Sequence, residues 1–119
     1  MFQLKKTTLC LALSFGALSQ SQAAEPIKVG VALDISGPFA AIGVETRDGL
    51  ELAIEKLGGK LGGVDAEFLQ TDFAGNPQQA NQLANRFIQK DKIDFFTGPV
   101  ASNAALAVGP ALFAAKVPF

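Results

Sequence analysis

The sequence predicts an α/β fold: a doubly wound parallel sheet preceded by an export signal. Three observations point there. After residue 26, apolar residues alternate in short runs, recur at helical spacing, then alternate again, in the order β-α-β-α-β-α-(β). Each unit has about the length of a parallel crossover, and right-handed crossovers place helices on both faces of one sheet. The first 23 residues follow a different pattern, that of a secretory signal.

Lys5 and Lys6 supply the positive start of that signal, and Thr7 to Leu18 supply its apolar run. Ser21-Gln22-Ala23 places small residues where a signal peptidase inspects the chain, so cleavage is expected after Ala23. The run is shorter than the about 20 residues that span a bilayer. The competing reading is a buried N-terminal helix. Cys10 lies within the run, with no small residue just before it to suggest a lipid anchor. Removing 23 of the 119 residues leaves 96, with no cysteine, 8 basic and 11 acidic groups, and a net charge of −3. Such a chain suits an oxidising compartment without needing disulfides, and a periplasmic location is expected.

The first expected strand is Ile27 to Leu33. Ile27, Val29, Val31 and Leu33 share one face, while Gly30 and Ala32 leave the other apolar and thin, as a central strand requires. Asp34-Ile35-Ser36-Gly37-Pro38 breaks it. A helix from about Ala41 to Leu57 carries a stripe of Leu50, Ala53, Ile54 and Leu57 and ends at Gly58-Gly59. Lys60 to Gly63 reads as turn. Val64 to Leu69 alternates, with Val64, Ala66 and Phe68 inward and polar residues between, which suggests a strand near the sheet edge.

Asn76-Pro77-Gln78-Gln79 reads as a helix start, with Asn76 at N-cap, Pro77 at N1 and Gln79 placed for a capping box. Ala80, Leu83, Ala84, Phe87 and Ile88 keep helical spacing after it. Ile93 to Thr97 is the third expected strand and Gly98 to Ala101 a turn. Ser102 is placed to cap a helix running to about Ala115, with a kink or restart at Pro110. Val117-Pro118-Phe119 would open a fourth strand.

Composition removes several functions. The chain has no His and one Cys, so most transition-metal sites lack ligands and nucleophilic catalysis lacks its usual base. A formal charge of −1 gives no basic face for nucleic acid. Neither a Gly-x-Gly-x-x-Gly nor a phosphate loop is present. Asp34, Asp72 and Asp94 lie at or near strand ends, but Asp94 falls inside its expected strand, and a hard cation needs several convergent oxygens. No metal, cofactor or enzymatic activity is expected. Arg47-Asp48 and Glu51 to Lys56 read as a solvated helix face.

Open parallel sheets bind ligands beyond the carboxyl ends of their strands. Three loops meet that condition: 34–43, 71–76 and 98–103. In the third, a Gly-Pro turn delivers Ala101, Ser102 and Asn103 to a helix N-terminus, where free N–H groups favour an anion. Spacing alone leaves Ser102 either a helix cap or a donor to a ligand carboxylate. Similarly, Gly37 could let a ligand approach the backbone, with Phe39 or Ile42 as an apolar wall, or the segment is an ordinary turn with Phe39 packed inward.

Ile27-Lys28-Val29-Gly30-Val31, Ser36-Gly37-Pro38 and Gly43 resemble the start of periplasmic binding proteins of the branched-chain amino acid type. So do Arg47 to Ala53, Asp72-Phe73-Ala74-Gly75-Asn76-Pro77, Gly98-Pro99-Val100-Ala101-Ser102 and Val117-Pro118, in order and across essentially all of residues 24–119. The resemblance implies a monomeric solute receptor for an ABC importer, with two lobes closing on a ligand, a membrane permease as partner, and no chemistry. It also implies that Ser102 and the adjacent backbone N–H groups hold the ligand carboxylate. Leucine-type members often carry an aromatic residue where this chain has Ile42, so amino acids, amides, short acids and aromatic carboxylates all stay open. The 119 residues are expected to be an N-terminal fragment, with 24–119 forming part of the first lobe and binding solute weakly or not at all alone. The alternatives are a sensor lobe of a membrane receptor or a small flavodoxin- or receiver-like domain.

Overall fold

The computed structural model describes residues 24–119. The expected signal peptide, Cys10 and the cut after Ala23 lie outside those residues. The elements are β1 (Ile27–Leu33), α1 (Ala40–Lys56), β2 (Lys60–Leu61), β3 (Val64–Asp72), α2 (Pro77–Arg86), β4 (Phe95–Thr97) and α3 (Ser102–Ala115). The sheet order is β2-β3-β1-β4. β1 is central and pairs in parallel with β3 and β4, while the short β2 pairs antiparallel with β3.

The two faces of β1 follow from its sequence. Val29, Val31 and Leu33 are buried on one side, with Leu50 of α1, Leu61 and Phe68 packed on them. Gly30 and Ala32 face α2 and α3. A Cβ on Gly30 would stand 2.7 Å from the Phe87 ring, so the missing side chain is what seats that ring against the strand. Phe87 then meets Phe96 edge to face at 6.3 Å, and Ala80, Leu83 and Ala84 of α2 interlock with Ala104, Val108 and Leu112 of α3. Helices on both faces make the sheet doubly wound, as expected.

Several local signals act as anticipated. Asn76 caps α2, its Oδ1 accepting from the N–H groups of Gln78 at 2.9 Å and Gln79 at 3.2 Å. The Asn76 N–H donates to Phe73 O, so the reciprocal half of a capping box is not made. Gly58 and Gly59 close α1 by donating to Glu55 O and Ile54 O.

Other expectations change. Lys60 and Leu61, read as turn, form β2, because Gly62 and Gly63 both take positive φ and fold a tight hairpin onto Val64 and Asp65. β3 runs three residues past Leu69, since its ladder with β1 continues to Leu33–Asp72. β4 is shorter than Ile93–Thr97; Ile93 is buried just before it, and Asp94 bonds to Lys28. α3 passes through Pro110 without a restart. Leu106 and Pro110 both face water, so solvent can take the carbonyl that Pro110 cannot bond. In α1 only Gly43 is buried; Leu50 and Ile54 are half-buried, while Ala53 and Leu57 are exposed. One helix covers this face, and Ile27, Val29, Leu61, Phe68, Phe95 and Phe119 line an apolar hollow of about 600 Å³ on it.

Candidate functional site

The strand order places three loops side by side at the carboxyl end of the sheet: 34–39 after β1 in the middle, 73–76 after β3 on one side, 98–101 after β4 on the other. These are the loops the sequence singled out.

Two aspartates hold them together. Asp72 closes β3 and accepts from the Ile35 N–H at 3.1 Å, the Ala74 N–H at 2.9 Å and the Ser36 hydroxyl. Partial burial pulls its pKa up. The hydrogen bonds from the Ser36 hydroxyl and the Ala74, Ser36 and Ile35 amides outweigh that and hold it below the ordinary carboxylate value. Asp34 follows β1 and is fully buried. Its Oδ2 accepts from the Val100 N–H at 3.2 Å, which ties the β1 loop to the β4 loop. Burial pushes its pKa up, against the Val100 and Gly75 amides, and the Asp72 charge adds to the rise. Asp94 does not join them. It sits at the opposite end of β4, accepting from the Lys28 N–H.

Close backbone approaches complete the frame. A Cβ on Gly37, at φ +77°, would lie 2.5 Å from Ala74 O; the space beside Gly37 is therefore filled by the neighbouring loop. Gly98, at φ +116°, packs so tightly that a Cβ would lie 2.2 Å from Ala32 O. Phe39 is half-buried against the core beside Gly75, matching its inward alternative. Ile42, in the first turn of α1, stands 52% exposed.

The start of α3 corrects one expectation. Its N-cap is Ala101, a buried residue with no capping side chain; Ser102 is the first helical residue. Ala101 O accepts from Ala104 N and Ala105 N, and Asn103 Oδ1 also accepts from Ala104 N at 2.9 Å. Asn103 thus supplies the side-chain bond that Ser102 was placed to make, and the cap reading of Ser102 fails. Ser102 and Asn103 are exposed, and the N–H groups opening the helix precede those that return to Ala101. The site combines an exposed hydroxyl, outward amides and a positive helix end, a set that can hold an anion.

The sequence marks Asp34 and Asp72 as acidic groups at strand ends and Ser36 as part of a turn, and does not show that the three hold the loops together. Their framework role carried one signal: both aspartates stand where a parallel strand hands the chain to a loop.

A family profile described as "Periplasmic binding protein" matches residues 26–119. A leucine-, isoleucine-, valine-, threonine- and alanine-binding protein of Pseudomonas aeruginosa is 36% identical over 85% of this chain and 29% of its own length. A solute binding protein of an ABC transporter from Rhodopseudomonas palustris, solved with 3,4-dihydroxybenzoic acid, superposes with a TM-score of 0.75 at 32% identity, covering 78% of this chain and 26% of that one. A branched-chain amino acid substrate-binding protein from Streptococcus pneumoniae, solved with isoleucine, gives 0.73 at 26% identity, covering 79% and 28%. The chain spans less than a third of each of these relatives.

Proposed function

Because this chain belongs to the periplasmic binding protein family, we propose that it carries one face of a solute receptor for an ABC importer, holding the carboxylate of a small solute at residues 101–103. The family binds solutes and in general performs no chemistry. The observation that carries the reading is the exposed opening of α3. Ser102 Oγ and the Ser102 and Asn103 amides sit there, at the end of the sheet where parallel folds bind ligands.

Ligand class follows from chemistry shared among relatives. One is named for aliphatic amino acids and another was solved with an aromatic acid; both ligand types present a carboxylate. Gly37 and Phe39 border the same end of the sheet, and Ile42 offers an apolar surface where the aliphatic or aromatic body of the solute would lie. Residues 1–23 direct export and are removed after Ala23, residues 24–119 form part of the first lobe, and a membrane permease receives the solute.

The test is calorimetric titration of the gene's entire exported product, its N-terminus and length checked by intact mass, with isoleucine and with 3,4-dihydroxybenzoate. Saturable binding of either is expected, weakened about ten-fold by Ser102→Ala. Binding of neither, or unchanged affinity in the variant, would sink the assignment.

A further inference from the structure

Asp34 is the one charged side chain that is fully buried among the described residues, and its Oδ1 completes no hydrogen bond, although the Gly75 amide is close enough to favour the charge. An apolar residue of that size would fill the position without the cost of burying a carboxylate. An incompletely satisfied buried group needs a reason to persist. Its surroundings supply one.

The backbone at Asp34 is clamped. A Cβ on Gly43 would stand 2.0 Å from Asp34 O, so the first turns of α1 rest directly on that carbonyl. From this fixed point the carboxylate reaches across to the N–H of Val100, two residues before Ser102. The turn between β4 and α3 is thus pinned at Gly98, beneath Ala32 O, and at Val100, on Asp34. Ala101, buried in the core, closes it. The direction in which α3 presents its first amides depends on those pins.

We propose that Asp34 is a positioning residue, whose carboxylate oxygen sets the 98–101 turn so that the first amides of α3 and the Ser102 hydroxyl converge on a bound carboxylate. This rests on the solute-receptor reading above. Asp34 touches no ligand; it acts through Val100. Asp72 does the corresponding work on the other side by tying the β3 loop to Ile35 and Ser36.

Two variants separate positioning from bulk. Asp34→Asn keeps a carbonyl acceptor for Val100, and Asp34→Leu keeps the size without the acceptor. Amide hydrogen exchange by NMR and calorimetry with isoleucine and 3,4-dihydroxybenzoate are measured on the whole exported chain. In Asp34→Leu, exchange at Val100, Ala101 and Ser102 is expected to quicken about ten-fold while α2 amides hold, and probe affinity falls about ten-fold. Asp34→Asn should restore both to within about three-fold of the parent. The proposal is overturned if Asp34→Leu leaves exchange and affinity unchanged, or if Asp34→Asn fails as badly as Asp34→Leu. Should Asp34→Leu not fold, the parent decides: its Val100 amide proton shift must follow the titration of the Asp34 carboxyl, and a Val100 shift indifferent to it overturns the proposal. A parent protein that binds neither probe overturns the receptor reading instead, and the exchange pattern then judges Asp34 alone.

Discussion

Two aspartates make the same kind of bond at opposite ends of the seam between β1 and β4. Asp94 accepts from the Lys28 N–H at 2.9 Å, and Asp34 accepts from the Val100 N–H at 3.2 Å. Their settings differ. Asp94 is exposed, beside an open hollow of about 530 Å³ lined by Glu25, Lys28 and Lys92 among others. Water serves whatever the protein leaves unbonded there. Asp34 is sealed, with one oxygen unserved. The amino end of the sheet is thus held at little cost. The carboxyl end, where ligands bind in such folds, carries a buried carboxylate and glycines pressed against backbone at Gly37, Gly43 and Gly98.

The comparison can be broken most forcefully at Gly98. Gly98→Ala places a methyl 2.2 Å from Ala32 O at φ +116°. It is expected to cost roughly 3 kcal/mol or more, read as a lower urea midpoint. A variant as stable as the parent would show that the carboxyl end is not tightly packed.

A pH series separates the two loop aspartates. The folded pKa of Asp72 is depressed, so its contribution exists above the unfolded value of about 3.9 and fades as pH falls through the folded value. Asp72→Asn should therefore lose most stability at pH 7, roughly 2 kcal/mol, with the gap to the parent narrowing in acid. The folded pKa of Asp34 is raised, so its protonated form stabilises below the unfolded value, and that benefit is lost as pH rises through the folded value. Asp34→Asn should accordingly be more stable than the parent at pH 7, with an advantage that shrinks on acidification. Urea midpoints between pH 3 and 7 check both signs, and parallel behaviour of the two variants would contradict the assignment.

The smallest effect belongs to the other end. Asp94→Ala should shift stability by no more than about 0.5 kcal/mol, because solvent replaces its bond to Lys28. A loss comparable to that of Asp72→Asn would erase the distinction between the two ends.

Much of the fold was legible along the chain. Alternation in 27–33 marks a strand wherever it lies, and Asn76-Pro77 starts a helix through bonds made within four residues. β2 and the true extent of β3 were less legible, because pairing with β1 and across Gly62-Gly63 decides them. The burial stripe expected in α1 failed for the same kind of reason. Ala53 and Leu57 have the right spacing, but how deeply a helix sinks depends on what else covers the sheet face.

The candidate site divides in the same way. Local chemistry in the sequence determined that Gly98-Pro99 would turn and that α3 would open near Ser102, so it located an anion-ready helix end. It could not assign Asn103 rather than Ser102 to the Ala104 amide, which Asn103 Oδ1 shares with Ala101 O, since both residue types bond backbone at that range. Only the tertiary structure decided what Asp34 and Asp72 do. Their partners lie 66 and 37 residues away along the chain, and a carboxylate becomes a tether or an exposed charge only once the strands beside it have been placed.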